Sequence, residues 1–148
     1  MRTHDMIRDY LRGNLPFAAH AGVDLVDLGD GTGLAHLPQT ENTLNHIGTQ
    51  HAGALFTLGE TASGAAAAGV FAERLLSLRT VAREARIRYM KVAKGTITAE
   101  ARTDRTPDDL RATLDAEGRV AFDVIVTFRD ADGVETGEMT VAWDVRKP

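Results

Sequence analysis

A chain of 148 residues with 43% hydrophobic and 26% charged side chains has the size and balance of one globular domain with its own core. Its 17 basic residues against 21 acidic ones give a formal charge of -4, so no molecule-wide positive field gathers nucleic acid or an anionic membrane, and any phosphate recognition has to be local. The absence of cysteine excludes a disulfide framework, a thiol nucleophile and thiolate metal sites.

Asp5, Arg8, Asp9, Arg12, Asp24 and Asp27 interrupt the start of the chain, which leaves no apolar core of a secretory signal, so a cytoplasmic location is expected. Met6, Ile7, Tyr10 and Leu11 recur at helical spacing and predict a short amphipathic helix ending near Gly13, with a further turn over Leu15 to His20. Val23 to Leu28 and Gly33 to Leu37, split by a glycine-rich turn, predict a β-hairpin. A polar stretch from Thr40 to Gln50 leads into a predicted helix from His51 to about Phe71.

That helix is apolar nearly all round, the mark of burial on most sides, and Glu60 within it argues against a membrane span. Its glycines Gly53, Gly59, Gly64 and Gly69 each cost about 1 kcal/mol against alanine, so something must approach its backbone closely. Extended runs follow over Val81 to Val92, Gly95 to Thr103, Arg119 to Arg129 and Val134 to Arg146. A short helix interrupts them, started by Thr106-Pro107-Asp108-Asp109 and stopped at Gly118. No repeat or low-complexity linker divides the chain, so a single domain over residues 1–148 is expected. The element order implies α+β architecture: a curved antiparallel sheet wrapped around one long helix, the hotdog arrangement.

The chemistry concentrates between Asn45 and Glu60. A carboxylate inside an apolar helix is costly to ionise, and burial tends to raise its pKa toward the range useful for a base or nucleophile. Pairing of Glu60 with an arginine such as Arg86 or Arg88 is the structural alternative. Asn45 also reads as a turn residue, His51 as a capping or packing residue, and Thr49 as the helix N-cap. Unpaired N–H groups at the helix start, around Ala52 and Gly53, are placed to polarise a carbonyl. Glu60 lies eight residues further on, about 12 Å along the axis. Both groups act on one substrate only if the carboxylate comes from a second helix packed antiparallel across a twofold axis, which expects a homodimer or a homotetramer built from it.

The run Asn45-His46-Ile47-Gly48-Thr49-Gln50-His51-Ala52-Gly53, followed by Glu60, resembles the hotdog-fold thioesterases of the phenylacetate-pathway and 4-hydroxybenzoyl-CoA type. More narrowly, it is similar to the DUF4442 branch of that superfamily. The resemblance implies hydrolysis of an acyl-CoA, with coenzyme A entering as part of the substrate and no separate cofactor or metal. It implies Glu60 as nucleophile or general base, the Ala52 N–H as oxyanion donor, Asn45 as positioner of the thioester or water, and His51 as support. Substrate contacts are expected from Gly53, Ser63, Phe56, Tyr89, Arg88 and Lys91, and a pocket from Leu55, Phe56, Tyr89 and Phe17. Three departures stand out: Glu60 where many relatives have Asp, Ala52 where Gly is frequent, and Gly64 where some relatives carry a hydroxyl.

Arg83, Arg86, Arg88, Lys91 and Lys94 form a basic run that suits either CoA phosphates or a solvated strand face. Two other functions compete. His46 stands fourteen residues before Glu60, a spacing that resembles hotdog-fold dehydratases, yet no proline lies between Pro38 and Pro107 where those enzymes usually carry them. A binder of acyl-CoA or another apolar ligand without turnover uses the same groove.

Overall fold

A computed structural model describes all 148 residues. Helix α1 (Thr3–Asn14) and the short α2 (Pro16–Ala21) precede the hairpin β1 (Asp24–Gly29) and β2 (Thr32–Leu37). The central helix α3 (Ala52–Val70) is followed by a 3-10 segment (Ala72–Ser77), β3 (Arg79–Tyr89), β4 (Ile97–Thr103), α4 (Pro107–Glu117), β5 (Arg119–Arg129) and β6 (Glu135–Arg146). The six strands form one antiparallel sheet in the order β1-β2-β4-β5-β6-β3. The expected α+β hotdog architecture is the observed one. The largest boundary differences are at β3, which starts two residues before the expected run at Val81 and stops three short of Val92.

Alternation along β5 and β6 turns Val120, Phe122, Val124, Val126 and Phe128, with Met139, Val141, Trp143 and Val145, onto the inner face, where all are buried. Helix α3 lies across that face with Leu55, Leu58, Ala62, Ala65 and Ala66 buried beneath it. The glycines of α3 permit this approach. A β-carbon at Gly64 would stand 3.3 Å from the Trp143 ring, and one at Gly69 would collide with the Gly29 carbonyl of the hairpin turn. Leu110 and Leu114 of α4 are fully buried, and Gly118, at φ 72, ends that helix in the left-handed conformation that glycine accepts most readily.

Two contacts tie down the far end of α3: Arg111 donates to the Val70 carbonyl, and a ring nitrogen of His4 lies 3.0 Å from the Gly69 oxygen. On the outer face Asp144, 1% exposed, accepts from Arg83, Arg119 and Arg146. Burial alone would raise its pKa; the hydrogen bonds from Arg146, Arg119 and Arg83 overcome that and hold it at about 2. No helix is long and apolar enough to cross a membrane. Strand β3 is a sheet edge whose 11 residues are mostly exposed.

Candidate active site

Glu60 sits at the middle of α3, half-buried, at one end of a groove of about 370 Å³ lined mostly by apolar side chains. Its carboxylate has no hydrogen bond and no ion pair within the chain. Arg88 instead pairs with Glu138 at 2.8 Å on the outer sheet face, and Arg86 lies on the same exposed face opposite Thr140. Burial, uncompensated by any cation, pushes the Glu60 carboxyl above its ordinary value. Such a group is a better proton acceptor near neutral pH than a solvated glutamate.

The start of α3 forms a second centre. His51 is the N-cap, and its Nδ1 accepts from the Gly53 N–H at 2.8 Å. The Gly53 N–H is thus not a free donor, contrary to the expectation for the helix start. The Ala52 N–H has no partner. Tyr89 reaches from the end of β3 to donate to the Ala52 carbonyl at 3.0 Å, and burial raises the pKa of its phenol. Ala52, Leu55, Tyr89 and Lys91 border one depression of about 340 Å³ with Asn45 and Gln50.

Asn45 corrects its expected catalytic role. Its amide donates to Thr49 Oγ1 and the Gln50 carbonyl, and its Oδ1 accepts from the N–H groups of Ile47 and Thr49. Fully engaged, the side chain holds the loop that delivers the helix start. Thr49 serves that loop rather than capping α3. Gln50, a residue that sequence patterning does not single out, donates to the Leu37 and Gly95 carbonyls and leaves its Oε1 buried without a partner. A buried orphan acceptor at the depression's edge is the one signal of it, and it is visible only in three dimensions.

Ser63 is a second correction: it is fully buried, donates to the Glu60 carbonyl and accepts from the Trp143 indole, so it supports the helix and cannot meet substrate. Arg88 lies on the exposed face of the edge strand β3, paired with Glu138 and outside both hollows. Phe56 and Phe17 are exposed and border neither hollow. The groove at Glu60 is instead walled by residues of α1 and the 3-10 segment, whose apolar side chains read in the sequence only as helix packing. His46 is exposed on the loop and does not border this groove. No cluster of three or more His, Asp or Glu is placed to hold a metal.

Within one chain the two centres remain apart. Glu60 and Ala52 are eight residues apart on one helix, about 12 Å along its axis, and they open into different hollows.

The family model described as a domain of unknown function, DUF4442, matches residues 4–145. The chain belongs to the DUF4442 family. No curated protein matches it. Among solved structures, this DUF4442 chain is similar to PA5026 of Pseudomonas aeruginosa, a protein of unknown function described as a probable thioesterase. The two are 25% identical with a TM-score of 0.81, over 97% of this chain and 95% of that one. The PaaI protein of the E. coli phenylacetic acid degradation operon superposes with a TM-score of 0.75 at 17% identity, over 99% and 94% of the two chains. A hypothetical thioesterase of Streptococcus pneumoniae TIGR4, solved with coenzyme A, does so at 0.69 and 21% identity, over 91% and 96%. At those lower identities the DUF4442 chain shares the fold with these two proteins.

Proposed function

We propose that this DUF4442 protein hydrolyses an acyl-CoA thioester to the free acid and CoA. The observation that carries the reading is Glu60: an unpaired carboxylate in an apolar groove, raised in pKa by burial, on the same helix whose start presents the free Ala52 N–H. The neighbours described as thioesterases, one of them crystallised with CoA, support the substrate class.

In this reading a second copy lays its α3 antiparallel to the first, so that Glu60 of one protomer faces the Ala52 N–H of the other. The long exposed edge of β3 supplies unpaired backbone for such pairing. The thioester carbonyl accepts from the Ala52 N–H. Glu60 takes a proton from a water whose oxygen attacks the carbonyl carbon; the C–S bond breaks, and the CoA thiolate takes up the proton. Asn45 and His51 act as positioning residues that hold the helix start, and Tyr89 fixes the Ala52 carbonyl. Lys91, at the rim of the same depression, is the cation placed to meet the nucleotide part of CoA. A dehydratase using His46 lacks support, since no proline lies between Pro38 and Pro107, where enzymes of that kind carry them.

The test is CoA release from benzoyl, phenylacetyl, short-chain and long-chain acyl-CoA, comparing wild type with Glu60→Gln. Turnover is expected to fall by about 10²- to 10⁴-fold in the variant. Absence of turnover on every thioester, with ligand still bound, is the result of a non-catalytic acyl-CoA binder. Single turnover in ¹⁸O-water separates the two roles of the carboxylate, because direct attack by Glu60 leaves label in the protein.

A further inference from the structure

The groove at Glu60 has a shape that selects an acyl group. Its floor is a line of small residues on α3, Gly64, Ala65 and Ala68, that runs from the carboxylate toward the helix C-terminus. It is also lined by Tyr10 and Leu11 of α1 with Leu15 just after it, by Leu75 and Leu76 of the 3-10 segment with Leu78 just after it, and by Trp143. Trp143 is held against Gly64 by its indole N–H, which donates to Ser63 Oγ at 3.1 Å, so this part of the floor is rigid.

Tyr10 and Leu15 are more than a third exposed and Leu76 is 74% exposed, although all three border the groove. Apolar side chains facing an apolar trough with a single carboxylate at its end suit a ligand that is a hydrocarbon tail with a reactive head. From Glu60 to Ala68 is eight residues, about 12 Å. An extended carbon chain advances about 1.2 Å per bond, as the peptide backbone does over its three bonds per residue, so the trough holds about ten carbons.

We infer that this groove is the acyl chamber and that the substrate class is the unbranched medium-chain acyl thioesters, with α1 and the 3-10 segment as specificity walls. The inference rests on the thioesterase reading for its reactive head and on the groove alone for its tail. The carbonyl sits at Glu60 and the methyl end lies near Ala68. Leucine at Ala68 fills the far end, and a carboxylate at Leu76 places charge on the rim without touching the core.

Two measurements test it on the full chain. The first is kcat/KM for acetyl-, butyryl-, octanoyl-, decanoyl- and phenylacetyl-CoA with wild type, Ala68→Leu and Leu76→Asp. The wild type is expected to favour octanoyl or decanoyl over butyryl by about tenfold or more, and Ala68→Leu to remove that preference by lowering the octanoyl and decanoyl values more than the butyryl value. If Ala68→Leu does not fold, Leu76→Asp, at an exposed position, is expected to lower the decanoyl value in the same selective way.

The second measurement needs no turnover. Trp143 is the only tryptophan, so its fluorescence reports the groove directly. With Glu60→Gln, decanoyl-CoA is expected to change it saturably, whereas CoA and acetyl-CoA are not. Hydrolysis that depends on Glu60 but is fastest on acetyl- or phenylacetyl-CoA, and indifferent to both wall variants, overturns the chamber and leaves the thioesterase standing. A saturable Trp143 response without hydrolysis of any thioester keeps the chamber and overturns the enzyme. No response to decanoyl-CoA overturns the chamber.

Discussion

Glu60 shows how one residue carries both the activity and a cost in stability. Its folded pKa is raised by burial, so the protonated form is the one the fold favours. That stability is fully present below the unfolded value near 4.5 and is lost as pH rises through the higher folded value. Glu60→Gln, which cannot ionise, is therefore expected to melt above wild type at pH 8 and to lose that advantage at pH 4, as read by thermal denaturation. The acid limb of kcat/KM is expected above the ordinary glutamate range for the same reason, because the base must be ionised to act. Legibility at this scale was uneven. Glu60 stood out because a charge in an apolar helix is costly wherever it points. Asn45 and Ser63 were misassigned because a hydrogen-bonding side chain has the same letter whether its partner is a substrate or its own loop.

At the scale of elements, the start of α3 makes a sharper test than any side chain. Ala52 is the first helical residue, and His51 before it has φ -68 and ψ 139, the extended backbone that a following proline requires. Ala52→Pro is thus expected to keep the helix and remove only the proposed oxyanion donor, lowering kcat by about 10²- to 10³-fold with little change in melting temperature. The sheet carries its own prediction. Asp144→Asn leaves Arg83, Arg119 and Arg146 clustered without their shared carboxylate. All three guanidinium groups are about half exposed, so solvent screens much of their repulsion, and a loss of about 2 kcal/mol is expected in urea unfolding at pH 7. The wild-type contribution of this carboxylate is present above the unfolded value near 3.8 and disappears as pH falls through about 2.

The whole molecule poses the question of two copies. If Glu60 and Ala52 meet only across a twofold axis, Glu60→Gln and Ala52→Pro each inactivate both sites of their own homodimer. A mixed dimer then rebuilds one site with both native groups. Random exchange of the two inactive variants is expected to restore about one quarter of wild-type activity, measured after mixing under conditions that allow subunits to exchange. No recovery in a mixture shown to contain heterodimers places both groups in one chain and overturns the shared site.

The fold was legible in the amino-acid sequence because its signals are local: the period of apolar residues along α3, β5 and β6, the turn glycines, and the Pro107 helix start need no knowledge of distant partners. The segment from Asn45 to Glu60 was legible for a similar reason, since its spacing sets an axial distance on a helix whatever packs around it. Tertiary structure alone decided which donors are free. His51 takes the Gly53 N–H, Asn45 is consumed by its loop, and Arg88 is turned to the outer face by strand register. It also brought Tyr10, Leu76 and Trp143, more than sixty residues apart in successive steps along the chain, to one groove beside Glu60. Saturation of a hydrogen bond and closure of a cavity depend on contacts between remote segments, and no local pattern encodes either.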